Sequence, residues 1–382
     1  MILKKLNIIY IKKKNFVSSK PYPSFFKEGF IFIKIFDEEN NYGYGEPSPY
    51  IANSRILKGC IKFIFLKYFK NQNHRSIDFL KIKNKCKNIY HKKIISSFQQ
   101  AILDLSSKRK NIPLYKFIGK KKINHINLYG SGGMIFDKNN YDILIEEAWK
   151  IKDEGYIGWK FRPKLPNNLL NHSHRIKYPP KFNINEIVRF SKKLRKSLGD
   201  DFLLMLDCGC RCSSVSEAEY LIKSLNDQNF YLIEEPLKRN LNLYKQLKKR
   251  LTKINTFISA GEHIYEGREL LKWIKNDEID IFQPDSNLLL FEEIKIIKKF
   301  KKRIIAHNWC NLINNCANAN FVRSLNKNTL MEHNILKNPF RDLFENSCFK
   351  LQNGKIKFLN YKGLGIEFKK KDKNYLIYEE KI

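Results

Sequence analysis

Seven short apolar runs in this chain each end on an acidic or basic residue. An eighth run, INLYGSGG, precedes them, and amphipathic helical stretches lie between; the seven are GWKFRP (158–163), LLMLDC (203–208), YLIEEP (231–236), ISAGEH (258–263), IFQPDS (281–286), IIAHNW (304–309) and TLMEHN (329–334). In a parallel barrel the carboxyl ends of the strands carry the catalytic groups. The series therefore predicts an α/β barrel with one active site at its strand ends.

The flanking sequence predicts a second unit beside the barrel. Residues 1–50 alternate as antiparallel strands do, and residues 55–118 carry apolar positions at helical spacing, so together they predict an α+β unit. The strand-like stretch 355–382 should leave the barrel and pack on that unit. A doubly wound sheet is the alternative, but no GxGxxG follows the first strand. The predicted boundaries are an N-terminal α+β capping domain at 1–122, the barrel domain at 123–350 and a returning C-terminal segment at 351–382.

The charge of the chain is strongly positive, with a formal net value of +34. Lysines are scattered through nearly every segment and no RNA- or DNA-binding signature accompanies them, so we predict no nucleic-acid partner. A positive field does attract anionic small molecules. A non-catalytic basic binding protein on a barrel scaffold is the remote alternative.

Eight cysteines and the N-terminus bear on the compartment of the protein. The cysteines form no CxxC pair, and the alternate spacing of Cys208, Cys210 and Cys212 does not match structural zinc sites, so reduced thiols are expected. The N-terminal apolar stretch is too short for a signal peptide or membrane helix. We expect a soluble, cytoplasmic protein with no membrane partner.

Three acids end consecutive runs. Asp207, Glu234 and Glu262 should meet at neighbouring strand tips, where three carboxylates repel one another unless a cation neutralises them. Hard oxygen ligands favour Mg²⁺. The residues alone leave the choice between Glu234 and Glu235 open, because alternation along a strand lets only one of them point inward.

Five more residues complete the predicted site. Asp285 beside His307 would fix the imidazole tautomer and make the histidine a general base. Lys160 and Arg162, two apart, share a face of one strand; a buried lysine can act as a base, whereas an arginine suits a carboxylate or oxyanion. Glu332 could donate to an enolate oxygen if protonated or pair with a lysine if ionised. A metal beside a base implies removal of a proton α to a substrate carboxylate.

Several motifs resemble the enolase superfamily, in particular its mandelate racemase-like branch with the acid-sugar dehydratases. The similar segments span nearly the whole chain; they are YGYGEPSPY (42–50), AILDLSSKRKNIPLYKFIG (101–119), LMLDCG, LIEEPL, AGEH, IFQPD and GLGIEF (363–368). The resemblance implies a modified TIM barrel of (β/α)7β type with a capping domain, and a symmetric homo-oligomer.

The resemblance also implies roles for the strand-end residues. It makes Asp207, Glu234 and Glu262 ligands of Mg²⁺, Asp285 and His307 the acid–base pair, and Glu332 the hydrogen-bond donor to the enolate. Family racemases carry Lys-x-Lys on the second strand, and here the second position is Arg162.

The arginine favours one-base chemistry over two-base racemisation. The expected activity is Mg²⁺-dependent dehydration of a sugar acid to a 2-keto-3-deoxy acid, with a racemase, epimerase or cycloisomerase as the alternative. The substrate would be a small carboxylate, contacted by Tyr22, Phe25 and Phe26 in the loop 18–28 and by the insertion 164–180. In that insertion, His172 and His174 are expected to be exposed.

Overall fold

The computed structural model describes residues 1–15, 29–48, 51, 53–119, 123–134, 141–163, 183–275, 278–325, 330–369 and 372–382. Two predicted features lie outside the described residues. These are the specificity residues Tyr22, Phe25 and Phe26, and the insertion that carries His172 and His174.

The N-terminal unit begins with three antiparallel strands, β1 (Leu3–Lys13), β2 (Phe30–Asp37) and β3 (Tyr42–Gly45). Its helices follow as α1 (Ser54–Ile64) with a π-helical turn at Phe65–Phe69, a 3₁₀ turn at His74–Ser76, α2 (Phe79–Lys85), α3 (Ile89–Arg109) and α4 (Leu114–Ile118). Asn53 begins α1, since its Oδ1 accepts from Ile56 N over 3.0 Å. The strands and helices thus form the predicted α+β unit.

Two glycines let α3 lie directly on β3. A Cβ at Gly43 would lie 2.0 Å from the carbonyl oxygen of Ala101, and one at Gly45 would lie 2.0 Å from that of Ser97. Because no side chain fits in either gap, the G-x-G sequence is required for this close approach.

Among the described residues, eight strands form the barrel: β4 (His125–Gly132), β5 (Gly158–Phe161), β6 (Leu203–Asp207), β7 (Phe230–Glu234), β8 (Phe257–Ala260), β9 (Ile281–Phe282), β10 (Arg303–Ile304) and β11 (Leu330–Asn334). In the same described ranges, seven helices separate them: α5 (Tyr141–Asp153), α6 (Ile184–Leu198), α7 (Val215–Asn226), α8 (Leu241–Arg250), α9 (Gly267–Ile274), α10 (Phe291–Lys299) and α11 (Leu312–Leu325). Every predicted run is a strand, so the (β/α)7β barrel is confirmed.

Parallel pairing runs in chain order from β4 to β10, and β11 pairs with β4. Within the described ranges no ladder joins β10 to β11. Instead, Asn308 N donates to Glu332 Oε2 over 2.9 Å, and Asn308 Nδ2 donates to the Glu332 carbonyl oxygen over 3.0 Å. These two bonds link the last two strands at their carboxyl ends, where the predicted site lies.

The C-terminal segment contributes to both sheets. After a 3₁₀ turn at Arg341–Leu343 it forms β12 (Phe344–Asn346), β13 (Phe349–Gln352), β14 (Lys355–Phe358), β15 (Ile366–Phe368) and β16 (Tyr375–Lys381). Strand β14 pairs antiparallel with β4 of the barrel, and β16 pairs antiparallel with β1. The return to the N-terminal sheet therefore occurs through β16, and the domain boundaries stay a prediction.

The barrel interior is apolar below its strand ends. A small cluster fills it, made of Tyr129, Met205, Leu232, Ile281 and Ile305. The larger apolar core lies between the strands and the surrounding helices. Among the described helices, none is both long and apolar enough to span a bilayer.

Candidate active site

Six acidic side chains meet at the carboxyl ends of the barrel strands. They form what we call the acid cluster, and each is at most 5% exposed; they are Asp207, Glu234, Glu235, Glu262, Asp285 and Glu332. In the strand register Asp207 lies opposite Glu234, as expected for neighbouring parallel strands of similar length. The structure therefore places the acids of the strand-end pattern, buried, at one end of the barrel.

Lys160 is the central cation of the acid cluster. Its Nζ forms an ion pair with Glu234 and another, 2.6 Å long, with Glu332. Burial lowers the pKa of Lys160, but the two carboxylates outweigh burial and raise it well above the ordinary value. The lysine is thus held as an ammonium ion.

Glu332 is ionised and fully bonded rather than free to donate. Its Oε1 accepts from Trp309 Nε1 over 3.0 Å, and its Oε2 accepts from Asn308 N. Burial raises the pKa of Glu332, but the charges of Lys160 and His307 lower it by more, so the net shift is downward. Of the two roles open to this residue, pairing with a lysine is the one seen.

Arg162 follows β5 and lies over the acid cluster. Its Nη1 is 3.2 Å from Asp207 Oδ2, and about one third of the side chain is exposed. Gly209 makes room for it, because a Cβ there would lie 3.0 Å from Arg162 Nη2. The guanidinium therefore stands between solvent and the first predicted metal ligand.

Glu235 is as deeply buried as Glu234, which strand alternation alone does not predict. Its φ of +42° lies in the left-handed region, so the chain leaves strand geometry here, at a cost of about 1–3 kcal/mol. Arg239 Nε donates to Glu235 Oε1 over 2.6 Å, and Arg239 Nη2 is 3.5 Å from Glu262 Oε1. Both acids of the EEP motif consequently face the cluster.

The donor set fits a hard divalent cation. Within the described residues, the donors that converge to within 4.8 Å of one another belong to Glu235, Glu262 and His263. Of the predicted metal triad, only Glu262 belongs to this group, and Asp207 and Glu234 do not. Five of the six buried carboxylates share three permanent cations, Lys160, Arg162 and Arg239, through the ion pairs described, and the sixth, Asp285, pairs with His307. Excess buried negative charge on oxygen ligands favours Mg²⁺.

His307 lies between two members of the acid cluster, Asp285 and Glu262. Its Nδ1 lies 2.9 Å from Asp285 Oδ2, and its Nε2 lies 3.2 Å from Glu262 Oε2. Burial lowers the pKa of His307, but the bond to Asp285 and the charges of Glu262 and Glu332 raise it to about 10. Because Asp285 accepts at Nδ1, the other ring nitrogen is the one directed into the site.

Comparison with known proteins identifies the family. A family model described as "Enolase C-terminal domain-like" matches residues 144–373. The chain belongs to this family. The predicted membership of the enolase superfamily and its mandelate racemase-like branch is confirmed.

Two dehydratases are relatives of this enolase-superfamily chain. The D-gluconate/D-galactonate dehydratase of Picrophilus torridus is 25% identical over 373 residues, which cover 91% of this chain and 88% of that protein. The arabinonate dehydratase of Saccharolobus solfataricus is 25% identical over 278 residues, covering 71% and 68%.

Two solved structures share the fold. The 3,6-anhydro-D-galactonate cycloisomerase from Zobellia galactanivorans superposes with a TM-score of 0.78 at 21% identity, over 96% of this chain and 97% of that one. A mandelate racemase/muconate lactonizing enzyme from a Sulfitobacter species superposes with a TM-score of 0.80 at 18% identity, over 96% and 93%.

Four residues of this superfamily site escaped the sequence reasoning. Gln283 Nε2 donates to Glu234 Oε2 over 2.8 Å, and His263 Nε2 is 2.8 Å from Glu262 Oε1. Trp309 and Arg239 are the other two. Gln283, His263 and Trp309 stand beside residues already singled out in their runs, so the strand-end pattern could have included them. Arg239 lies beyond its strand and carries no local signal.

Proposed function

We propose that this protein is an Mg²⁺-dependent dehydratase of a sugar acid, a hydro-lyase. The observation that carries the proposal is the pairing of the His307 imidazole with Asp285, beside an excess of buried carboxylates. The named activities of both dehydratase relatives support the substrate class.

The residues proposed to hold Mg²⁺ are Asp207, Glu234 and Glu262, with Glu235 as the alternative second carboxylate. Mg²⁺ bound there would polarise the substrate carboxylate and stabilise an enediolate. His307 Nε2 is the proposed base. It must first lose its proton, and a cation held by Glu262 would favour that loss, because the uncompensated carboxylate stabilises the imidazolium.

In the proposed reaction, a single base carries out both proton transfers. His307 Nε2 takes the α-proton, and the electron pair of the C–H bond forms the enediolate. The C–O bond to the β-hydroxyl then breaks, the same imidazolium protonates the departing oxygen, and water leaves. The enol product tautomerises to a 2-keto-3-deoxy acid. Asp285 holds the ring through Nδ1 during both transfers.

The cations support one-base chemistry. Lys160 pairs with two carboxylates that hold it protonated, so it is not poised to act as a second base. Arg162 stays charged and is placed to bind an anionic substrate group. Two-base racemisation would need a base on each face of the substrate.

Incubation with Mg²⁺ and a library of sugar acids, with semicarbazide detection of 2-keto products, tests the proposal. His307→Asn should abolish product and α-proton exchange in D₂O, whereas His125→Asn, at the exposed start of β4, should not. Turnover with inverted stereochemistry and no loss of water would select the racemase or epimerase instead. No product from any sugar acid would count heavily against dehydration.

A further inference from the structure

A buried chain of hydrogen bonds joins the N-terminal unit to the Asp285–His307 pair. Glu46 directly follows β3, and its backbone N–H donates to Gln100 Oε1 over 3.0 Å. Gln100 lies on α3, and its Nε2 donates to Asn314 Oδ1 over 2.9 Å. Asn314 lies on α11, and its Nδ2 donates to Asp285 Oδ1 over 3.0 Å. The other oxygen of Asp285 meets His307 Nδ1.

The donor and the acceptor of every bond in this hydrogen-bond chain follow from its first member. A backbone N–H can only donate, so Glu46 requires the oxygen of Gln100 to face it. The Gln100 amino group must then face Asn314, and the Asn314 amino group must face Asp285. Asp285 Oδ1 thereby accepts from Asn314, and Asp285 Oδ2 is left to accept from the imidazole of His307.

Burial of these residues prevents either side-chain amide from reversing its orientation. Glu46, Gln100 and Asn314 are each fully buried, and Asp285 is 1% exposed. Ser286 adds a second donor to Asn314 Oδ1, with its Oγ at 3.0 Å. Reversing either amide would place acceptor against acceptor where water cannot compensate.

The carboxylate of Glu46 also binds the N-terminus of α11, the helix that carries Asn314. Its Oε1 accepts from Asn311 N over 2.7 Å, and its Oε2 accepts from Asn314 N over 3.0 Å. Both donors lie at the N-terminus of α11, where an acid is favoured. The same residue thus fixes the helix and begins the hydrogen-bond chain.

We propose that Asn314 is a positioning residue for the Asp285–His307 pair, and that the N-terminal unit orients it through Glu46 and Gln100. This inference rests on the proposed role of His307 as the base. Docking of the N-terminal unit then influences the chemical step itself, through residues that are buried from solvent.

Kinetics of two matched variants provide the first test. Asn314→Leu keeps the branched shape and the number of heavy atoms of the side chain but removes the donor to Asp285. Asn320→Leu is the control, because Asn320 is equally buried on α11 but bonds Tyr115 N and Tyr361 Oη instead. We expect Asn314→Leu to lower kcat about 10- to 100-fold with little change in KM. Asn320→Leu should stay within about twofold of wild type, since it has no contact with the pair.

A nuclear magnetic resonance measurement without substrate separates this inference from the proposed function. In protein labelled with ¹⁵N-histidine, the Nδ1–H resonance of His307 is assigned by its loss in His307→Asn. We expect Asn314→Leu to shift or broaden this resonance, Gln100→Leu to do so less, and Asn320→Leu to leave it unchanged.

The outcomes are distinct. A shift in Asn314→Leu alone supports the inference even if no sugar acid is turned over, which would then count only against the proposed function. An unchanged His307 resonance in Asn314→Leu overturns it. Equal changes in both asparagine variants also overturn it, because they would show general loosening of α11.

Discussion

Lys160 and Glu332 form a 2.6 Å ion pair inside the barrel, with both side chains at most 2% exposed. The same ammonium group also pairs with Glu234, so one lysine neutralises acids from two different strands. Strand β5 supplies the lysine, and β7 and β11 supply the acids.

Lys160→Met should destabilise the protein by about 3–5 kcal/mol, because it leaves two buried carboxylates without their cation. Denaturant unfolding measures the loss. Adding Glu332→Gln to that variant should recover part of the stability. Lys62→Met, which removes an exposed pair with Glu380, should change stability by less than about 1 kcal/mol. Similar losses in both single lysine variants would contradict the buried pairing.

Gly45→Ala should destabilise the protein by about 1–3 kcal/mol or more, since the added Cβ would lie 2.0 Å from the Ser97 carbonyl oxygen. Gly59→Ala is its control. Gly59 lies within α1, and apart from its chain neighbours and the nearby backbone of its own helix, no described atom lies within 4 Å of the methyl carbon that alanine would add. Alanine there should therefore stabilise by about 0.5–1 kcal/mol. Thermal melts of the two variants should therefore shift in opposite directions.

His333 should make the protein less stable in acid. Its Nδ1 lies 2.6 Å from Tyr156 Oη, and burial, aided by Arg341, lowers its pKa to about 3. The unfolded imidazole binds a proton near pH 6.5, so stability is present above that pH and is lost as pH falls toward 3. At pH 5 the loss is about 2 kcal/mol.

Denaturant unfolding of wild type and His333→Gln at pH 8 and pH 5 measures this effect. The variant should lose less stability than wild type between the two pH values. Parallel losses would show that His333 does not carry the acid sensitivity.

Mg²⁺ should raise the unfolding temperature if the acid cluster holds it. At a concentration 100 times the dissociation constant, binding adds about 2.7 kcal/mol to the free energy of unfolding. Glu262→Gln should remove most of the shift, whereas Glu345→Gln, at an exposed position of β12, should keep it. An unfolding temperature independent of Mg²⁺ in wild type would count against the site without reference to activity.

The strands and their ends were predictable, but the pairing of charges was not. Apolar periodicity identified all eight barrel strands, and with them the positions of Asp207, Asp285 and His307. Alternation along the strand could not decide whether Glu234 or Glu235 points into the site, because Glu235 leaves strand geometry. Nothing local indicated that Arg239 would reach back to Glu235 and Glu262.

The sequence by itself determined the order of strands and helices and which residues end the strands. These features depend on the hydrophobic repeat and on the chemistry of neighbouring residues, which act over a few positions. Only the tertiary structure decided which acids Lys160 neutralises and that Glu46 reaches Asn314, 268 positions away. Such contacts depend on how distant elements dock, and each polar group takes whichever partner burial brings within reach.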